Sequence, residues 1–219
     1  MTTPLLELYT TQVQSWPVEG RHILAAYDEE SIIVYQAYRP GIGRHAAAHQ
    51  RFGGEFSFSR MSWIKPNFLW MMYRSGWGTK EGQEVTLAVT IPRTLFDEIL
   101  AQAVPSSFDS RRYKNMENWK AALATSEVRL QWDPDHAPDG KPQARRAIQL
   151  GLRGKMLRRY AAEEVVKVED LSSLVAEQRE HLRNDLSKLK TPRERIYTPR
   201  RDDAIRAIGL DDPIVELRS

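Results

Sequence analysis

Apolar residues along the chain fall into short runs of two periods, one suited to strands and one to helices, and the two kinds alternate irregularly. Residues 31–38, SIIVYQAY, are rich in β-branched and aromatic side chains and predict a strand, stopped by Arg39-Pro40-Gly41. A short helix fits residues 44–52, ended by Gly53 and Gly54, and the alternation Phe56-Ser57-Phe58-Ser59 predicts a second short strand. Pro66 suits the first turn of a helix over residues 67–75, with Gly76 as its C-terminal stop. Residues 84–91, EVTLAVTI, give the clearest strand pattern of the chain. Pro92 then opens a helix over residues 92–103 with Leu95, Phe96, Ile99 and Leu100 on one face.

The second half reads in the same way. A polar connection over residues 105–114 leads to a helix around Trp119, then to a strand over 127–133 and a turn-rich loop, DPDHAPDGKPQ. A strand over 146–152, a helix over 154–162 and a strand over 164–169 follow. Residues 171–190 predict an amphipathic helix carrying Leu171, Leu174, Val175, Leu182, Leu186 and Leu189. Beyond it, TPRERIYTPRR repeats Thr-Pro-Arg at a seven-residue spacing and reads as an extended, basic tail. Strands and helices without regular βαβ spacing predict α+β rather than a doubly wound sheet. The expected organisation is one α+β domain over residues 1–190 and a basic C-terminal extension over 191–219.

Composition narrows the functional classes. With 219 residues the chain is long enough for a substantial core, and it contains no cysteine, which excludes disulfides, thiolate metal sites and cysteine nucleophiles. The N-terminal residues lack a basic region followed by an apolar run, and no stretch approaches the ~18 apolar residues of a membrane span, so a cytoplasmic protein with no membrane partner is expected. Net charge is only +3, yet residues 35–80 carry seven Lys/Arg against the single acid Glu55, and residues 141–160 carry seven against none. Folded onto one face, these segments would make an anion-attracting cleft; left apart, they are solvated surface charge.

The densest chemistry lies between Arg60 and Lys80. Trp63, Trp70 and Trp77 fall on a seven-residue beat there, among Arg60, Lys65, Arg74 and Lys80, with no acid. Flat π-faces beside fixed positive charge suit a nucleotide or a nucleic-acid end. Arg39, at a strand end beside Tyr38, can present a bidentate fork to phosphate or pair with a surface carboxylate. Arg60 and Lys65 can neutralise phosphates, and Ser62 and Asn67 can bond sugar hydroxyls or cap the following helix. Trp63 precedes Pro66 and can stack on a base; Trp70, four residues before Arg74, is better suited to core packing. His45 and His49 have the spacing of a zinc pair but no third ligand nearby, so no metal is expected. Glycine-rich dinucleotide fingerprints, P-loops, G-x-S-x-G elbows and H-E-x-x-H are all absent.

The segments VYQAYRP, FSFSRMSWIKPNFLWMMYRSGWGTK, VRLQWDPDH and RRAIQLGLRG resemble the family catalogued as domain of unknown function 4291, over about residues 20–175. That family's fold is in turn similar to that of the ADP-ribosyltransferases, which bind NAD in a cleft between two short, curved sheets. The resemblance implies NAD or another nucleotide as ligand, held by Arg39, Tyr38, Arg60, Ser62, Trp63, Lys65, Asn67 and Arg74. It implies that Arg39 matches the early-strand residue on the cofactor and Ser62 the second-strand position by the nicotinamide. On the late strand Gln149 stands where the family of transferases has a glutamate. With Arg39 it is the candidate catalytic residue, although an amide stabilises a cationic centre less than a carboxylate does. The RNA 2′-phosphotransferases, a related branch, work chiefly with cations, for which Arg39, Arg60, Lys65, Arg74 and Arg146 are the counterparts by charge. A non-enzymatic nucleic-acid-binding module is the alternative.

Overall fold

A computed structural model describes residues 4–210. The chain begins with β1 (Leu6–Leu8), α1 (Tyr9–Gln12), β2 (Gly20–Arg21), β3 (Ile23–Ala25) and β4 (Ser31–Tyr38). Next come α2 (Pro40–His49), β5 (Ser62–Ile64), α3 (Phe68–Ser75), β6 (Val85–Pro92), α4 (Arg93–Ala101) and β7 (Ala103–Pro105). Then α5 (Met116–Thr125), β8 (Val128–His136), β9 (Pro142–Leu152), α6 (Gly154–Arg158), β10 (Lys167–Asp170) and α7 (Ser172–Asn184) follow. The described chain closes with β11 (Lys190–Pro192), β12 (Arg195–Tyr197) and α8 (Asp202–Ile208). The architecture is α+β.

Two sheets dominate. One has the order β10-β6-β4, all antiparallel; the other runs β2-β9-β8-β7 with β5 on the remaining part of β9. Two further pairs, β1 with β11 and β12 with β3, were not part of the expected two-sheet plan. They arise because the C-terminal segment returns to pair with the N-terminal one.

Strand β4 is buried from Ser31 to Gln36 because both faces of its sheet are covered. Ile32 and Val34 join the main core with Leu87, Val89 and Ile91, while Ile33 and Tyr35 join a second core with Phe68, Met71 and Leu171. Period two sends alternate residues to the two cores, so the strand reads as a continuous apolar run. Helix α2 crosses so close to β6 that a Cβ on Gly43 would overlap a Val85 methyl carbon.

Several local expectations differ from the fold. Phe56-Ser-Phe58-Ser is a turn segment, not a strand; Phe56 packs on Phe52 and Phe58 with centroids 4.7 and 5.0 Å apart, so the alternation reflects an aromatic cluster. The loop after residue 133 shrinks to a hairpin turn, since β8 continues to His136 and β9 starts at Pro142. The helix expected to 190 ends at Asn184, where Asp185 caps a short 3-10 turn.

The separate C-terminal extension is also corrected. Tyr197, Ala204 and Ile208 are buried in the main core, and the Tyr197 hydroxyl donates to buried Asp97 over 2.6 Å. Glu194 accepts from the Phe68 amide at 2.7 Å and so closes the N-terminus of α3. Basic composition and Thr-Pro-Arg repeats hid these few anchoring side chains. Residues 211–219 of the expected extension lie outside the described residues. A chain ended at Lys190 should therefore lose its cooperative thermal transition; an undiminished melting temperature in that truncation would show the segment to be dispensable.

Candidate functional site

Strand β4 pairs through its backbone with the residue that follows β5 at one point. Tyr35 and Lys65 exchange backbone hydrogen bonds of 2.6 and 3.2 Å, and the pairing goes no further. Past that bridge the strands splay, and the gap opens into a cavity of about 740 Å³. Arg39, Tyr38, Arg60, Ser62, Trp63, Lys65, Arg74 and Gln149 all line it. Asn67 does not: it is buried, its side chain accepts from the Trp70 amide at 2.7 Å, and it serves as the N-cap of α3. Arg146 does not either, because three residues from Gln149 is an odd step along β9 and places it on the other face.

The floor of the cleft is a polar network at the edge of the main core. The Gln36 amide nitrogen donates to the Trp63 carbonyl at 3.2 Å, standing in for backbone pairing that the splay has removed. It also donates to the Ser62 hydroxyl at 2.9 Å and the Tyr38 hydroxyl at 2.8 Å, and the two hydroxyls lie 2.5 Å apart. From below, the fully buried Tyr160 donates to the Gln36 carbonyl at 2.7 Å. Burial pushes the Tyr38 phenol up to about 12, so it stays protonated. Gln36 and Tyr38 share a strand face, two residues apart on β4. Tyr160 had no local signal.

Among the described residues, four cations line the cleft with the single carboxylate Glu55. Glu55 pairs with Arg39 at 3.0 Å, both side chains being 58 % exposed, so the pair is worth at most about 1 kcal/mol and yields readily to a stronger anion. Lys65 differs from the arginines. It is 5 % exposed and makes no ion pair among the described residues. Burial, and then the neighbouring Arg74 charge, bring its pKa down to about 8, with Asp133 acting in the opposite sense. An unpaired lysine desolvated in a cleft marks a candidate functional group.

The tryptophans of the seven-residue beat separate. Trp70 lies beside the stacked Tyr73–His136 pair (5.4 and 5.5 Å from the two centroids, which are 3.5 Å apart), and Trp77 is buried with its indole nitrogen on the Pro138 carbonyl at 3.1 Å. Trp63 alone is left in the cleft. It lies against Gly151 on β9, where a Cβ would come within 3.0 Å of the indole, so glycine there gives the ring its seat. His45 and His49 stack at 4.0 Å.

Fold and site together define an α+β protein with a cation-lined cleft at a sheet junction. The family model described as Domain of unknown function (DUF4291) matches residues 22–197, and the chain belongs to that family. No curated protein matches it significantly. Among the described residues, no helix is long and apolar enough to cross a membrane.

Lys65 sets a pH dependence. Its folded pKa lies below the ordinary lysine value, so the unfolded chain holds more protons between about pH 8 and pH 10.5, and stability rises with pH across that window. Lys65→Met should be more stable than the parent at pH 7, by up to roughly 3 kcal/mol, with the gain vanishing toward pH 10.5. Urea unfolding over a pH series reads this directly. A gain independent of pH would mean that Lys65 carries no desolvation cost.

Proposed function

We propose that the cleft binds NAD or a related nucleotide, and that the chain has an ADP-ribosyltransferase-like fold acting on a nucleotide, an RNA phosphate or an ADP-ribose acceptor. The observation that carries this reading is the cavity at the β4–β5 splay, where Arg39, Arg60, Lys65 and Arg74 surround a floor of hydroxyl and amide groups. Its volume of about 740 Å³ lies within the usual range for small-molecule sites, roughly 300–1,000 Å³. The donor set fits a dinucleotide: cations for the pyrophosphate, Tyr38 and Ser62 for neutral polar groups, and the Trp63 face for a ring.

Each side chain has a distinct part in this reading. Arg39 exchanges Glu55 for a ligand phosphate, and Lys65 gains a counter-charge that favours its protonated form. Gln149 supplies an amide to a ribose hydroxyl. Bound NAD would contribute a ribose carbon that becomes electrophilic as its bond to nicotinamide breaks. No carboxylate occupies position 149, so electrostatic support for that carbon is weaker than a glutamate would give.

A second reading, a nucleic-acid-binding module, draws on the sheet face next to the cleft. Arg129, Gly151 and Trp63 stand opposite one another across β8, β9 and β5, which puts a cation beside an indole platform.

A thermal-shift panel of NAD, ADP-ribose, ATP, RNA and DNA at two salt concentrations separates the readings. NAD or ADP-ribose should raise the melting temperature with little salt dependence, whereas strand binding would weaken steeply with salt. Arg39→Ala should abolish the nucleotide shift while changing ligand-free stability by less than about 0.5 kcal/mol, because Arg39 is exposed. Melting curves unmoved by all five ligands would remove both readings.

A further inference from the structure

Gln149 is held in one orientation from behind. Its amide nitrogen donates to the Asp133 carboxylate at 2.6 Å and to the Gln131 side-chain carbonyl at 2.9 Å. A carboxylate only accepts hydrogen bonds, so the nitrogen, not the oxygen, must face Asp133. Both amide protons are thereby used. The Gln149 carbonyl oxygen has no protein partner among the described residues and is not among the buried, unpaired polar atoms, so it stays accessible on a residue that lines the cleft. Gln131 faces Gln149 directly across β8 and β9, and Asp133 follows two residues later on the same face of β8.

We infer that Asp133, a positioning residue, acts through Gln149 to make the cleft a hydrogen-bond acceptor for a ligand hydroxyl, selecting phosphorylated sugars over bare phosphates. This inference rests on the nucleotide reading of the same cleft. It also accounts for glutamine at position 149. With Asp133 accepting at 2.6 Å, a glutamate would set two carboxylates against each other, and like charges at that distance disfavour joint ionisation. The negative charge is carried one layer back and reaches the ligand through a polarised amide.

The chemistry predicts a pattern that a purely structural Asp133 would not give. The probes are inorganic pyrophosphate, which needs only the cations, and ADP-ribose, which adds hydroxyls; binding is read by calorimetry on the full chain. Asp133→Asn lets the Gln149 amide turn over and point its nitrogen into the cleft. Pyrophosphate affinity should then hold within about twofold, while ADP-ribose affinity falls about tenfold or more, as for loss of one hydrogen bond to a charge-supported group. Gln149→Glu alone should also weaken ADP-ribose binding. Combining it with Asp133→Asn should restore that binding, because the amide introduced at position 133 can donate to a carboxylate at 149. In the unaltered chain, the side-chain amide protons of Gln149 should exchange slowly in a heteronuclear spectrum, a readout that needs no variant to fold.

Equal loss of both probes in Asp133→Asn, or tighter ADP-ribose binding in Gln149→Glu, overturns the inference. So do fast-exchanging Gln149 amide protons. Pyrophosphate binding without any advantage for ADP-ribose in the parent chain overturns the hydroxyl acceptor and leaves an anion site standing. Binding of neither probe overturns the inference and the nucleotide reading together.

Discussion

The single bridge between Tyr35 and Lys65 decides the shape of everything around it. It ties the sheet of β4, β6 and β10 to the sheet of β5, β9 and β8, and it does so at one residue pair only. Had the ladder continued, β4 and β5 would form one closed surface with no room between them. Because it stops, Gln36 must satisfy the Trp63 carbonyl with its side chain, and the residues of both strand ends turn toward a common space. The cleft is thus a consequence of arrested pairing. Its polar floor compensates the backbone groups that arrested pairing leaves without strand partners.

The same junction explains the odd electrostatics of the site. Lys65 is fixed in the bridge by its backbone, so its side chain cannot retreat to solvent as a surface lysine would. Its charge is held in a buried position, where burial and Arg74 oppose it. The exposed arginines, Arg39, Arg60 and Arg74, also line the cavity and cost the fold little. One buried cation and three exposed ones thus share the same cavity.

Support for the cleft comes from distant sequence. Helix α3, which brings Met71 and Arg74 to the wall, is closed at its N-terminus by Asn67 and by Glu194 from the C-terminal segment. Burial pushes the Glu194 carboxyl well above its usual range, and its bond from the Phe68 amide partly opposes that. The C-terminal segment is therefore structural support for the site. Its basic, proline-containing sequence disguises the role, since the anchors are a few residues, Glu194, Tyr197, Ala204 and Ile208, among many exposed ones.

What the residues determined on their own was local. Strands β4 and β6, helices α3 and α4, and the stop at Gly76 follow from β-branched runs, 3.6-residue periodicity and the freedom of glycine at φ +58°, all of which act over a few residues. The concentration of cations and indoles between Arg60 and Lys80 likewise marked the segment that lines the cleft. Tertiary structure alone decided which of those side chains meet. Trp63 reaches the cavity and Trp70 does not, although they share one beat, because one lies on a strand opposite Gly151 and the other on a helix facing His136. Tyr160 became a support for Gln36, and Asp133 the partner of Gln149, through contacts that span up to 124 residues of chain. Periodicity specifies the face on which a residue lies; only the packing of distant elements sets what that face meets.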